Sequence, residues 1–139
     1  MASLDFAFVS ESARLEPGNT LSALGIGFTH IQLSRFPIAV PVAVAGMAWL
    51  EEEDGGKADL VVTLVGAQDS YELSVEQTLF APEGEPYMEG RQAACFVAPL
   101  TLPLTTEGIY RVNLKLNGTL ARSIQLEVMR PLEAPDVES

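Results

Sequence analysis

The chain has 139 residues, 47% of them hydrophobic and 19% charged, and a formal net charge of −11. That is the size of one domain with one core, and it is apolar enough to offset backbone ordering, which excludes global disorder. With 8 basic residues against 19 acidic ones and no Lys/Arg cluster, nucleic acid and anionic membrane surfaces are excluded as expected partners.

Along the chain, apolar residues recur with period two, and Gly, Pro, Asn and Asp fall between the runs. No segment carries a helical repeat with a cap. The N-terminal stretch has no basic segment followed by an apolar run, so no signal peptide is expected. Residues 3–10 read as the first strand, with Leu4, Phe6 and Phe8 on one face. Glu16-Pro17-Gly18-Asn19 reads as a turn. Residues 20–33 follow as one strand. Its apolar positions move from even (Leu24, Ile26, Phe28) to odd (Ile31, Leu33), which predicts a β-bulge near Thr29-His30.

Arg35-Phe36-Pro37 makes a corner before a long strand over residues 38–52 that is apolar on both faces. The apolar part, residues 38–50, is too short to span a bilayer, which needs roughly 20 residues. A cytoplasmic location is expected by elimination. Glu53-Asp54-Gly55-Gly56 reads as a hairpin turn into residues 59–67, and Gln68-Asp69-Ser70 as a turn into the strand marked by Leu73, Val75 and Leu79. Residues 81–90 form the longest polar loop. The strand over residues 93–104 contains Pro99 and Pro103, which lack a donor, so it is expected at an edge or broken. Residues 109–116 and 120–128 make the final pair, and residues 131–139 an acidic tail after one domain over residues 1–130.

The expected fold is all-β: a two-sheet antiparallel β-sandwich, immunoglobulin-like, with about eight strands. Gly108-Ile109-Tyr110-Arg111-Val112 at a strand start matches the tyrosine corner of such sandwiches, with ordinary core packing as the alternative for Tyr110. Asn117-Gly118 is the strongest hairpin signal. A two-residue turn would set the apolar face of one strand against the polar face of the other. The preferred reading is therefore a three-residue loop, Leu116-Asn117-Gly118, which pairs Lys115 with Thr119 and Tyr110 with Ile124. A loop of Asn117-Gly118-Thr119 also keeps parity.

Few residues point to chemistry. His30 is the single histidine, and no motif supplies the nucleophile and acid of a triad, so a half-exposed strand histidine is the plainer reading. Cys95 lies beside Phe96 in an apolar strand and reads as a small hydrophobe. One Cys and one His cannot build a structural zinc site. Glu51-Glu52-Glu53-Asp54 with Asp59 lacks the spacing of a calcium loop and reads as a solvated tip. No metal or cofactor is expected.

The doubly apolar strand is more informative. Its second face is either covered by another element or forms an interface, for which Phe36, Pro41, Met47 and Trp49 are the candidate residues, with Pro41 pointing to an edge position for this strand.

Leu4-Asp5-Phe6-Ala7, Pro17-Gly18-Asn19, Leu21-Ser22-Ala23-Leu24-Gly25-Ile26-Gly27 and Phe36-Pro37 together resemble a family of small uncharacterised bacterial proteins, many of them actinobacterial. Gly108-x-Tyr110-Arg111-Val112 and the Asn-Gly hairpin fit the same pattern. The resemblance implies a β-sandwich and brings no activity with it. The functional expectation is a non-enzymatic module that binds a protein partner or forms a homo-oligomer. The rival is a small-ligand-binding or hydrolytic sandwich with its site near His30 and the 81–90 loop. A protomer of a larger homo-assembly is a further reading of the same strand.

Overall fold

The computed structural model describes residues 1–81 and 88–131. Most of the 81–90 loop and nearly all of the acidic tail, residues 82–87 and 132–139, fall outside that range. The described residues form ten strands: β1 (Ser3–Ser10), β2 (Ser12–Glu16), β3 (Thr20–Leu24), β4 (His30–Gln32), β5 (Ile38–Glu51), β6 (Lys57–Val65), β7 (Glu72–Phe80), β8 (Arg91–Leu104), β9 (Gly108–Leu116) and β10 (Thr119–Met129). They make a three-stranded sheet in the order β1-β5-β8, a five-stranded sheet in the order β4-β10-β9-β6-β7, and the β2-β3 hairpin. The described residues contain no α-helix, and none of their helical turns is long and apolar enough to cross a membrane.

Alternation builds one core between the two larger sheets. Val42, Val44, Ala48 and Leu50 of β5 meet Phe96, Leu100 and Leu102 of β8 on one side. Leu60, Val62 and Leu64 of β6 meet Val112, Leu114 and Leu116 of β9 on the other. Each Val, Leu or Phe side chain among them contributes about 1.5–3 kcal/mol on burial. Tyr110 is fully buried, and its hydroxyl donates to Thr106 O (2.8 Å) while accepting from the Thr105 and Thr106 N–H groups (3.1 and 3.2 Å). These are the backbone bonds of a tyrosine corner, and they fix the chain where it passes from β8 to β9.

Several expectations are corrected. Residues 20–33 are two strands, and Ser12–Glu16 is a strand of its own, so the expected eight become ten. The parity change near Thr29-His30 is a crossover: β3 ends at Leu24, and β4 joins the edge of β10 in parallel, with His30 opposite Glu127. That pair also departs from the all-antiparallel expectation. Glu53-Asp54-Gly55-Gly56 turns the chain between sheets, because β5 and β6 do not pair.

The Asn117-Gly118 hairpin closes as a two-residue turn with φ of 48° and 83°, and Leu116 pairs with Thr119. Leu116 cannot be a loop residue, because it is buried opposite Leu60. Asn117 also continues the ladder onto β6, giving its N–H to Asp59 O and accepting the Asp59 N–H on Oδ1, both at 2.9 Å. Parity is restored instead by a bulge between Leu120 and Arg122, after which Ile124 pairs with Val112 and Leu126 with Tyr110. The body of the hairpin thus has the register of the Asn117-Gly118-Thr119 alternative.

Candidate interaction surface

The outer face of the three-stranded sheet is apolar, and a bulge in β1 helps make it so. Leu4 pairs with Ala48, and the next paired residue, Phe6, is opposite Met47. The extra residue, Asp5, turns Leu4 inward against the core while Phe6 and Phe8 point outward with their rings stacked at 6.3 Å. Ala7 and Val9 take the inward positions. The sequence reading that puts Leu4, Phe6 and Phe8 on one face is corrected accordingly. The uninterrupted apolar run Phe6-Ala7-Phe8-Val9 was the available signal that both faces of this strand are occupied.

Gly46 makes the bulge possible. A Cβ there would lie 2.2 Å from Phe6 O and 3.0 Å from the Phe96 ring, so only glycine lets β1 and β5 approach this closely.

Across β1, β5 and β8 the outward rows read Phe8–Ala45–Val97 and Phe6–Met47–Cys95, with Trp49 next to Ala93. The β2-β3 hairpin lies against β5 and β8 and covers part of this face. Its turn is held by Asn19, at φ 59°, a left-handed position that asparagine tolerates well. The Asn19 side-chain amide donates to Ala93 O (2.9 Å) and accepts the Cys95 N–H (3.0 Å). The covered portion includes the fully buried Ala45. Left partly open are Phe6 (39% exposed), Phe8, Met47 and Trp49, with the Arg91 guanidinium 4.2 Å over the Trp49 ring.

Of the four expected interface residues, Met47 and Trp49 share this face, and Pro41 belongs to it by alternation, exposed at its far end. β5 is the central strand of its sheet, which corrects the edge position inferred from Pro41. However, β1 extends along β5 only from Trp49 to Ala43, so Pro41 has β8 alone as a neighbour. Phe36 is elsewhere: half-buried against the core, with the Arg130 guanidinium 5.0 Å from its ring.

A surface depression of about 450 Å³ is lined by Thr29, His30, Gln125 and Glu127 among others. His30 and Glu127 are direct neighbours in the β4-β10 ladder, both exposed, and no hydrogen bond among the described residues joins them.

Cys95 donates through Sγ to Asn19 O (3.2 Å), and burial pushes its thiol up, away from the thiolate. The acidic cluster surrounds the Met1 ammonium, which pairs with Glu51 and Glu53 and lies 3.8 Å from Asp54. Hydrogen bonds to Glu51 first and Glu53 second push that ammonium up to about 10. No group of three or more His, Cys, Asp or Glu among the described residues is arranged to hold a metal ion.

Fold and surface together define an all-β module with one sheet face left apolar and partly uncovered. The chain belongs to the family described as a family of unknown function (DUF6941), whose model matches residues 5–129. No curated protein matches the chain.

Proposed function

We propose that this chain is a non-enzymatic, immunoglobulin-like β-sandwich that binds another protein through the outer face of its three-stranded sheet. The tyrosine corner at Tyr110 and the single core shared by the two larger sheets support the immunoglobulin-like reading. The contact reading rests on one observation: Phe6 is opposite Met47 and stays 39% exposed, stacked on Phe8, although the hairpin covers the adjoining part of the same face. Aromatic and Met side chains left open beside a covered apolar surface are the usual anchors of a protein interface. The net charge of −11 supports a protein partner over nucleic acid or an anionic membrane, and a cytoplasmic setting is part of the same proposal. The resemblance carried by residues 4–37 supports a bacterial, largely actinobacterial, distribution of the family.

The test is crosslinking in the native cell with wild-type and Phe6→Asp chains, the fold of both verified by circular dichroism. A partner recovered with the wild type and reduced at least tenfold with Phe6→Asp supports the proposal. Equal recovery with both chains removes this face as the contact.

A second reading is favoured by the His30–Glu127 adjacency and the depression beside it: a small-ligand-binding or hydrolytic site. Titrating the protein with a panel of small polar metabolites and reading amide chemical shifts separates the two. Saturable shifts confined to Thr29, His30 and Glu127, and lost in His30→Ala, would favour the ligand site.

A further inference from the structure

Strand edges are protected unequally in this chain. Along β8, Arg91 exchanges both of its backbone bonds with Met88, Asn19 takes Ala93 O and the Cys95 N–H, and Pro99 and Pro103 have no N–H. On β10, β4 fills the positions opposite Glu127, Val128 and Met129. On β1, Val9 O accepts from the Gly27 N–H (2.9 Å). β7 is the longest edge strand with no such protection among the described residues. It pairs with β6 from Glu72 to Phe80 and has no strand on its other side.

Parity identifies its outward groups. The Gly66 N–H bonds Tyr71 O and the Ala81 N–H bonds Gly56 O, both at 2.8 Å, so the odd residues face β6. The register between the two strands has no shift. Glu72, Ser74, Glu76, Thr78 and Phe80 therefore point their N–H and C=O groups away from β6. All five are exposed, and no backbone hydrogen bond among the described residues reaches those groups.

Two rows of side chains flank this edge. The inner row holds Leu73 and Val75. They lie opposite the buried Leu64 and Val62 and so on the core side of the sheet, yet they are 46% and 37% exposed. The open stretch over them is bounded where β7 is tied to β8. The Tyr71 hydroxyl donates to Pro103 O at one end, and Gln77 Nε2 donates to Val97 O (3.3 Å) at the other. Between these ties Pro99 and Thr101 of β8 are exposed as well. In the outer row, the Ser74 and Thr78 hydroxyls are engaged with Thr63 (2.9 Å) and Asp59 (3.3 Å) of β6. Glu72 and Glu76 take part in no ion pair among the described residues.

We infer that the β7 edge accepts an extended segment of a partner protein as an added antiparallel strand, and that this segment alternates basic and apolar residues. The pairing dictates the pattern. Partner residues opposite Leu73 and Val75 share the inner face, where apolar side chains cover both and fill the open stretch beside Pro99. Partner residues opposite Glu72 and Glu76 share the outer face, where Lys or Arg meets each carboxylate. Along the partner the order is basic, apolar, any residue, apolar, basic. The same two carboxylates, on a chain of net charge −11, act against pairing with a second copy, so the edge is selective. The inference rests on the reading of this chain as an interaction module but uses a surface other than the Phe6–Met47 face.

Amide chemical shifts of the full chain, titrated with short end-blocked peptides, test the inference. The probe is Thr-Lys-Val-Thr-Val-Lys-Thr, and its acidic counterpart is Thr-Glu-Val-Thr-Val-Glu-Thr. The basic peptide should give saturable shifts at the Glu72, Ser74 and Glu76 amides, weakening as salt is added, and the acidic peptide should bind about tenfold more weakly. Reversing both charges, Glu72→Lys with Glu76→Lys, should invert that preference. Ser74→Pro should abolish binding, because a proline is tolerated where an edge N–H faces solvent but deletes the pairing donor. If Ser74→Pro does not fold, the charge reversal at two exposed positions decides the matter. No shifts at the edge, or equal affinity for the two peptides, would overturn the inference and leave the Phe6–Met47 face standing. Binding that is lost in Phe6→Asp and unchanged by the charge reversal would assign the peptide to the apolar face and also overturn the edge.

Discussion

The outer edges of β8 and β10 present the same chemical problem, a row of outward backbone donors and acceptors, and the chain answers it differently: single groups block positions along β8, while the short strand β4 pairs with part of β10. Along β8 each device comes from a different element: Met88, the hairpin turn at Asn19, Gln77 of β7, two prolines and Tyr71. The edge of β1 is treated in the same way, with Val9 O accepting from Gly27 N–H (2.9 Å) and Ala7 O from Arg122 (3.4 Å). Unprotected edges invite other strands, and single blocking groups of this kind protect an edge without adding a strand to it.

Four experiments sharpen or break this comparison, from the largest expected effect to the smallest. Tyr110→Phe keeps the buried ring but leaves Thr106 O and two N–H groups unpaired at the end of β8. It should cost about 1–3 kcal/mol, read as a lower urea midpoint at unchanged slope. A change under about 0.5 kcal/mol would mean that the corner does not hold this end of the edge.

Asn19→Ala removes the partners of Ala93 O and the Cys95 N–H together and should cost about 1–2 kcal/mol. It should also make the chain prone to strand-mediated aggregation on mild heating. Unchanged aggregation would show that the asparagine is not an edge guard.

The third experiment is alkaline titration. Burial first and Tyr110 second push the Tyr71 phenol up to about 12, above its value of about 10 in an unfolded chain. The folded state therefore holds that proton more tightly. The associated stability is complete below pH 10 and is lost as pH rises toward 12. Thermal midpoints measured across pH 9–12 should fall more steeply for the wild type than for Tyr71→Phe; parallel curves would reject the assignment.

Finally, Pro99→Thr restores a single outward N–H on the blocked edge. It should leave stability within about 0.5 kcal/mol, its effect appearing only as faster aggregation when combined with Asn19→Ala.

Much of this was legible in the amino-acid sequence, for local reasons. Period-two alternation announced the strands, Pro99 and Pro103 placed β8 at an edge, and Gly108-x-Tyr110 marked the corner whose hydrogen bonds form. The candidate surface was half legible: the doubly apolar run over residues 38–50 pointed to Met47 and Trp49 but not to their neighbours Phe6 and Phe8. The reason is the bulge at Asp5. One inserted residue reverses every side chain beyond it, and whether it is inserted depends on how closely Gly46 lets β5 approach. The final hairpin repeats the lesson. Matching apolar faces gave the correct parity. But Leu116 was held in the core by Leu60, on a strand more than fifty residues earlier, so the compensating residue moved from the turn to Ala121.

The sequence by itself determined that the chain is all-β, where seven of the ten described strands lie, where one edge lies and that one sheet has an apolar outer side. Those properties follow from alternation, proline and turn chemistry within a few residues of one another. Only the tertiary structure decided which strands cross between sheets, which aromatic rings face outward and how the strand edges are covered. Those outcomes turn on hydrogen bonds between residues far apart in the chain, as Asn19 and Cys95 are, and local pattern carries no information about them.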